Sequence, residues 1–215
     1  MISTRDLSPL PGIEELKKLA QALAMLDAIL SPEWEYRTYS FNSRWDAGEQ
    51  MASMRDGSGD GWFCVFGAPG SFFKGFAHES PMSPWRTRPS KIWPGILESV
   101  PASFAAFLTE PAFVMAETTF CIWRERSDSA WRRGTISFPD TPDPDGSAKL
   151  LAMLDGNPRT YQAWAETNYE RTMDPAAIAS VYAHDPLTND LVQAINDTVD
   201  LADLAEDIEE IGYPR

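Results

Sequence analysis

The N-terminal part of the chain carries the clearest helical pattern. Between Ile13 and Leu30, leucines recur at steps of three and four residues, which places them on one side of a helix. Ser31 and Pro32 follow, and because a residue before proline avoids helical backbone angles, the helix is predicted to end there. The pattern spans too few heptads for a coiled coil, so we expect this leucine face to pack on a sheet.

From Trp34 to His78 the chain alternates between apolar and polar residues and is broken by glycine-rich stretches, as β-strands are. The strand segments are 34–41, a segment around 50–56, 62–66 and 71–78. The breaks at 56–61 and 67–70 are short and rich in glycine, which favours tight turns between neighbouring strands. The pattern therefore predicts an antiparallel meander.

Prolines interrupt regular structure over 79–101, which we expect to be an extended surface connection. Beyond it the pattern predicts a short helical segment at 100–108 and a second hairpin formed by 118–125 and 131–138. After the polar loop 140–146 the pattern is helical to the end, with helices expected at about 147–156, from 160, from 175, at 188–195 and at 200–211. Strands first and helices later predict an α+β fold: an N-terminal helix, an antiparallel β-meander plus a second hairpin, and a helical C-terminal third.

Length and composition suit a single α+β domain over 1–215, with one conceivable division into a sheet-bearing part, 1–140, and a helical part, 141–215. Hydrophobic residues make up 43% of the chain and aromatic residues 12%, enough apolar surface to disfavour intrinsic disorder. The composition excludes collagen-like and coiled-coil classes, and no apolar run has the length of a membrane span.

The chain is strongly acidic, with 32 Asp and Glu against 18 Lys and Arg and a formal net charge of −14. Such a charge repels nucleic-acid phosphates and anionic lipid, so we predict neither a nucleic-acid nor a membrane partner. A basic protein partner fits the charge, and so does an acidic surface that only maintains solubility.

Two cysteines, Cys64 and Cys121, each lie within a run that reads as a strand. They are expected to be buried thiols rather than a disulfide, which points to a reducing compartment. The first residues lack the pattern of a signal peptide, and the predicted location is therefore cytoplasmic.

Residues that usually carry catalysis or bind metals are scarce. His78 and His184 are the two histidines, and neither has the spacing of a zinc site. The loop 56–61 resembles the start of a calcium loop, but Gly67 stands where the bidentate glutamate belongs. Nucleotide-binding and acyl-transfer motifs are missing as well, so we predict no cofactor, no metal and no assigned catalytic residue.

Two further functions stay open. Eight tryptophans would suit stacking on sugars, which makes a carbohydrate- or small-ligand-binding protein an alternative, although Trp34, Trp62, Trp123 and Trp131 are expected to be core or sheet-face residues. The other alternative is an enzyme that uses an unrecognised pair of carboxylates or His78.

Two features suggest protein binding. Eight acidic residues and no Lys or Arg lie in 190–210, and on a helix from Asp200 four of them share one face: Asp200, Asp203, Asp207 and Glu210. The second feature is an excess of bases over 86–133, whose simplest use is pairing with the acidic terminus. It can also form a binding surface with exposed aromatic and basic anchors, namely Trp85, Arg86, Arg88 and Trp93.

The segment V100-P-A-S-F-A-A-F-L108, followed by two strands and then helices, resembles the LP-x-x-[FY]-x-x-FL element of the SUKH immunity superfamily over about forty residues. The element here follows a strand meander, and T109-E-P-A-F113 replaces the usual Asn/Gly-rich continuation. The resemblance implies an α+β protein that binds and neutralises a basic toxin through an acidic surface, and it assigns no residue of this chain to a binding site.

Together these observations predict a non-enzymatic, cytoplasmic protein-binding module, in its narrowest form an immunity-type inhibitor of a basic partner. The contact surface is expected on the acidic C-terminal helices or on the 85–93 segment.

Overall fold

The structure is a computed structural model that describes residues 1–214. Its strands are Tyr39–Asp46 (β1), Glu49–Arg55 (β2), Gly61–Gly67 (β3), Gly70–Phe76 (β4), Phe120–Glu125 (β5) and Arg132–Arg133 (β6). Its α-helices are Ile13–Leu30 (α1), Ser147–Leu150 (α2), Pro158–Asn168 (α3), Pro175–Tyr182 (α4), Asn189–Ile195 (α5) and Ala205–Ile211 (α6).

All six strands form one antiparallel sheet in chain order, β1 to β6. With the N-terminal helix and the helices after residue 147, this confirms the predicted α+β fold and the meander. Alternate side chains of each strand point to opposite faces of the sheet. In β4, Phe73 packs into the core beneath the helices, whereas Phe72 packs into a second core on the other face.

The helical face is built on α1, whose leucine side is buried as predicted. This helix packs on β1 and is itself contacted by α4, α5 and α6. The buried carboxylate of Asp27 fixes the junction, since its Oδ2 accepts the backbone N–H groups of Thr38 and Tyr39 at 2.8 Å each. The connection between α1 and the sheet is thereby hydrogen-bonded inside the core.

The opposite face of the sheet is covered by the irregular segment 79–117. Its 3-10 helix Ala102–Thr109 buries Phe104 and Phe107 against Phe72, with ring centroids 5.8 and 5.6 Å from that of Phe72. The aromatic residues of the V100–L108 segment therefore serve as core residues of this second layer.

Several expected elements differ in extent. The second hairpin is shorter than predicted because β6 ends before Gly134, whose backbone packs directly against that of Gly95. The helix predicted at 147–156 breaks at Leu151 into α2 and a 3-10 turn. The helix predicted at 200–211 starts as the 3-10 turn Leu201–Leu204 and becomes α-helical only at Ala205.

Both cysteines are buried and unpaired, as expected. Cys64 lies in the core beneath the helices, and Cys121 lies in the core on the opposite face, so the sheet separates the two thiols. Burial raises the pKa of each thiol well above its usual value. Over residues 1–214, no helix combines the length and the apolar character required to cross a bilayer.

Candidate functional site

The acidic residues of 190–210 form a surface on the last helices, which we call the acidic surface. Seven of its eight side chains are exposed and the eighth, Asp207, is half-buried. Its members are Asp190, Asp197, Asp200, Asp203, Glu206, Asp207, Glu209 and Glu210. Glu209 and Glu210 lie in the last turn of α6, where the helix dipole disfavours negative charge, so their position does not serve helix stability.

The four acids predicted to share one face have different roles. Asp200 and Asp203 form a reciprocal cap at the start of the 3-10 turn, with the Asp200 N–H donating to Asp203 Oδ2 at 3.1 Å. Asp207 pairs with both terminal nitrogens of Arg37 on the side facing β1, at 2.5 and 3.1 Å. Glu210 is exposed, and within residues 1–214 its carboxylate has no ion-pair partner. The four acids therefore do not form the one continuous face that the sequence predicts, because α6 begins at Ala205 and does not extend back to Asp200.

An apolar groove of about 340 Å³ lies beside these acids. We call it the C-terminal groove, and its walls are Leu187, Leu201, Ala202, Ala205 and Ile208. The hydrogen bond from the Leu201 N–H to Asn189 Oδ1, 2.9 Å long, joins its two sides. Acidic residues directly adjoin its lining in sequence, with Asp200 before Leu201 and Glu206 after Ala205.

On the other side of α6 lies a polar cleft of about 410 Å³ between the helix and β1, lined by Asn42, Arg44, Glu206, Glu209 and Glu210. Arg44 pairs with Glu209 at 2.6 Å, and both side chains are largely exposed. One helix thus presents an apolar groove on one side and a carboxylate-rich cleft on the other.

The bases of 86–133 do not pair with the acidic surface, contrary to the simplest expectation. Within the described part of the chain, their acidic partners are local or N-terminal: Glu79 for Arg86, Glu14 for Arg126 and Asp128 for Arg132. The acidic surface instead pairs with three other arginines: Arg37 from the turn before β1, Arg44 from β1 and Arg171 from the segment after α3. The sequence pattern could not show this because pairing depends on which elements become neighbours.

The 85–93 segment supplies three of its four predicted anchors as exposed side chains. Trp85 is 56% exposed, with its ring packed edge-on against Phe76 at 5.1 Å, and Arg86 and Arg88 are exposed beside it. Trp93 was expected to be exposed as well, but it is half-buried and donates its ring N–H to the Ser137 carbonyl at 3.1 Å.

This segment and the acidic surface lie on different layers of the protein. Trp85 packs through Phe76, whose side chain points to the face of the sheet that carries 79–117. The acidic surface belongs to the helical layer on the other face, because α6 packs on α1 and β1. A single small contact area cannot include both.

Of the tryptophans assigned to the core or sheet faces, Trp62, Trp123 and Trp131 are buried as expected. Trp34 is not: it lies in a 3-10 turn before β1, is 56% exposed, and stacks under the Arg55 guanidinium at 3.9 Å. The local pattern suggested a strand, but the strand begins only at Tyr39.

His78 is held by carboxylates on both ring nitrogens. Its Nδ1 lies 2.7 Å from Oδ1 of the buried Asp60, and its Nε2 lies 3.3 Å from Glu79 Oε1. Lys149 bridges Asp60 and Asp56 at 3.2 and 3.1 Å, and Asp56 also organises the turn before β3. These contacts tie the hairpin loop to the end of β4 and to α2.

Across residues 1–214, no three His, Cys, Asp or Glu side chains are grouped to share a metal ion. The residues that sequence reasoning missed are the groove residues Leu187 and Leu201, together with Lys74 on β4. The one sequence signal for Lys74 is the presence of a charged residue between Phe73 and Gly75 in an otherwise apolar strand.

Comparison of the chain with protein-family models, with curated protein sequences and with solved structures finds no significant match.

Proposed function

We propose that the protein binds a basic protein partner with its C-terminal surface. The observation that carries this proposal is the C-terminal groove, an apolar depression set within a stretch that contains eight acidic residues and no Lys or Arg. An exposed apolar depression ringed by charge of one sign is suited to a partner with apolar anchors and the opposite charge.

The occupant that fits is an amphipathic helix with leucine-like residues on one side and Lys or Arg on the others. Each large apolar side chain that becomes fully buried contributes about 1.5–3 kcal/mol, so two anchors would supply the short-range attraction. The surrounding carboxylates would accelerate association and select for basic partners, and their contribution would fall as salt screens them.

In its narrower form, the proposal is that the protein acts as an immunity-type inhibitor and blocks a basic toxin, as the SUKH resemblance implies. A cytoplasmic location belongs to the same proposal and is supported by two buried thiols that the sheet keeps apart.

Binding can be tested with a synthetic amphipathic peptide of about 18 residues, with leucines at helical spacing and lysines elsewhere. A scrambled peptide of the same composition serves as the control, because it keeps the charge but loses the apolar side. We expect the ordered peptide to bind at least tenfold more tightly than the scrambled one by isothermal titration calorimetry, and its affinity to fall between about 0.05 M and about 0.5 M salt.

Two variants locate the contact. Glu206→Lys with Glu210→Lys reverses two exposed charges, and Ala202→Glu places a carboxylate at the groove; both are expected to weaken binding at least tenfold. The matched control is Glu33→Lys with Asp140→Lys, two exposed acids outside the C-terminal surface. Equal affinity for the ordered and scrambled peptides, or equal loss in the control variant, would overturn the proposal.

A further inference from the structure

Lys74 is the one basic residue within β4, and it is almost completely buried, with 4% of its surface exposed. It points to the same sheet face as Phe72, and its neighbours across the strand pairs are Phe63 and Cys121. Within residues 1–214 its Nζ has neither a hydrogen bond nor an ion pair. The Nζ atom lies over the rings of Phe63 and Phe76, 6.0 and 5.6 Å from their centroids.

Such a position is unfavourable for an ammonium group unless something compensates its charge, because burial removes its hydration. Burial accordingly lowers the pKa of Lys74 to about 8, while the nearby carboxylate of Glu117 acts in the opposite direction. The amine still carries its proton for most molecules at neutral pH. The protein thus maintains a cation in a mainly apolar setting, where the Phe63 and Phe76 rings and the Glu117 carboxylate are its electrostatic neighbours.

Lys74 lines a cavity of about 310 Å³ between the sheet and the 112–117 turn. Aromatic rings form much of its wall: Phe63 and Phe113 are stacked with centroids 5.2 Å apart, and Phe76 lies on the side of Trp85. The volume is at the lower end of the range found for small-molecule sites, and the combination of apolar walls with one fixed polar group is typical of such sites.

The backbone at the rim of this cavity is strained. Val114 has φ of +44° and ψ of +58°, a left-handed conformation that a β-branched residue rarely adopts, and its side chain is 50% exposed. Strained residues of this kind concentrate at ligand sites. This observation does not depend on the charge of Lys74, and it points to the same cavity.

We propose that this cavity binds a small organic carboxylate with an aromatic or branched aliphatic body, its anion paired with Lys74 and its body packed on Phe63, Phe76 and Phe113. The carboxylate would supply the direct ion-pair partner that Lys74 lacks within residues 1–214, and a charge-assisted hydrogen bond in an apolar site is stronger than one in water. The site is separate from the C-terminal surface and does not depend on the proposed function.

Other charged groups at the cavity already have partners or oppose an anion. Arg55 donates to the carbonyls of Arg37 and Trp34, and Asp60 is paired with His78 and Lys149. Glu117 lines the cavity without an ion pair among the described residues, and its negative charge favours ligands with a single carboxylate over more highly charged anions. Lys74 is thus the residue that would recognise the anion.

The test uses 3-phenylpropanoate and its neutral amide, 3-phenylpropanamide, as matched probes. For the wild-type protein we expect the carboxylate to bind at least tenfold more tightly than the amide by isothermal titration calorimetry at pH 7. In Lys74→Met, which keeps the length of the side chain and removes its charge, the two probes should bind equally. Lys18→Met, which removes an exposed cation from α1, should behave like the wild type.

The affinity for the carboxylate should also fall as the pH rises above about 8, because the amine of Lys74 then loses its proton. The other charged groups that line the cavity are Arg55, Asp60 and Glu117. Cys121, the cross-strand neighbour of Lys74, stays neutral over this range because burial raises its pKa. Equal binding of the two probes to the wild-type protein overturns the proposal whether or not Lys74→Met folds. So does an unchanged preference for the carboxylate in a folded Lys74→Met.

Discussion

Asp27 and Tyr161 lie 134 positions apart in the sequence, yet the Tyr161 hydroxyl donates a 2.7 Å hydrogen bond to the Asp27 carboxylate inside the core. Asp27 comes from α1 and Tyr161 from α3, and both are fully buried. The same carboxylate accepts two backbone N–H groups at the start of β1. One acidic side chain thereby connects α1 and the start of β1 with the distant helix α3.

We predict that this carboxylate makes the protein more stable in mild acid than at neutral pH. Burial raises the pKa of Asp27 to about 6, above the usual value of 3.8, and outweighs the opposing hydrogen bonds from Tyr161, Tyr39 and Thr38. The folded state therefore binds the proton more tightly than the unfolded state, and the contribution of Asp27 to stability falls as the pH rises from below 4 to above 6. The expected change is about 3 kcal/mol.

Urea unfolding of the wild type and Asp27→Asn between pH 4 and pH 7.5 measures this contribution. The asparagine keeps an acceptor for the backbone N–H groups but does not titrate, so the difference in unfolding free energy between the two proteins should vary with pH. Curves that remain parallel across the range would show that the carboxylate is not responsible.

Arg37 and Asp207 provide a second prediction. The Arg37 side chain is 6% exposed and also donates to the carbonyls of Ser31 and Pro32 at 2.8 Å each. Asp207→Asn should lower the free energy of unfolding by about 1.5–3 kcal/mol, because a buried guanidinium loses its counter-charge. Glu210→Gln, on the same helix but exposed, should change it by less than about 0.5 kcal/mol. Equal effects in chemical denaturation would contradict a specific role for the ion pair.

Val114 should be a position where a smaller side chain stabilises the protein. A left-handed conformation costs a residue with a Cβ about 1–2 kcal/mol, and glycine avoids this cost while losing some conformational entropy. We expect Val114→Gly to raise the free energy of unfolding by about 0.5–1 kcal/mol. Val114→Ala retains the Cβ and should gain less; a larger gain for alanine would argue against backbone strain as the cause.

The close approach of Gly95 and Gly134 yields a fourth prediction. A Cβ on Gly134 would overlap the carbonyl oxygen of Gly95, so the backbones of two segments would have to separate. Gly134→Ala should therefore destabilise the protein by at least about 2 kcal/mol. In Gly67→Ala, the new Cβ would meet its nearest neighbours at 3.5 Å, an ordinary contact, and thermal unfolding should change little.

The elements with strong local signals were predictable. The leucine spacing and the Ser31–Pro32 stop placed α1, and short glycine turns placed the meander, because both depend on residues close in sequence. The caps Asp174 and Thr188 likewise begin α4 and α5 where the sequence indicated.

Features that depend on distant neighbours were not predictable in this way. The local pattern of 131–138 could not show that Gly134 meets Gly95 and ends β6 early. Nor could the run of acids show that Asp207 would form its ion pair with Arg37 rather than with a base from 86–133. Lys74 appeared in the sequence as a charge in a strand, and only the layer of 79–117 placed over that face makes it a buried cation.

A sheet in simple chain order has two edge strands, and edges are where chains pair with one another and aggregate. Here β6 is only two residues long, and β1 is contacted by α6. Helix α6 therefore hinders edge-to-edge pairing at β1. Its carboxylates repel a second copy of the chain that approaches the same edge. A partner that displaced α6 would expose the edge of β1, so α6 contributes both to the proposed binding surface and to the resistance to aggregation.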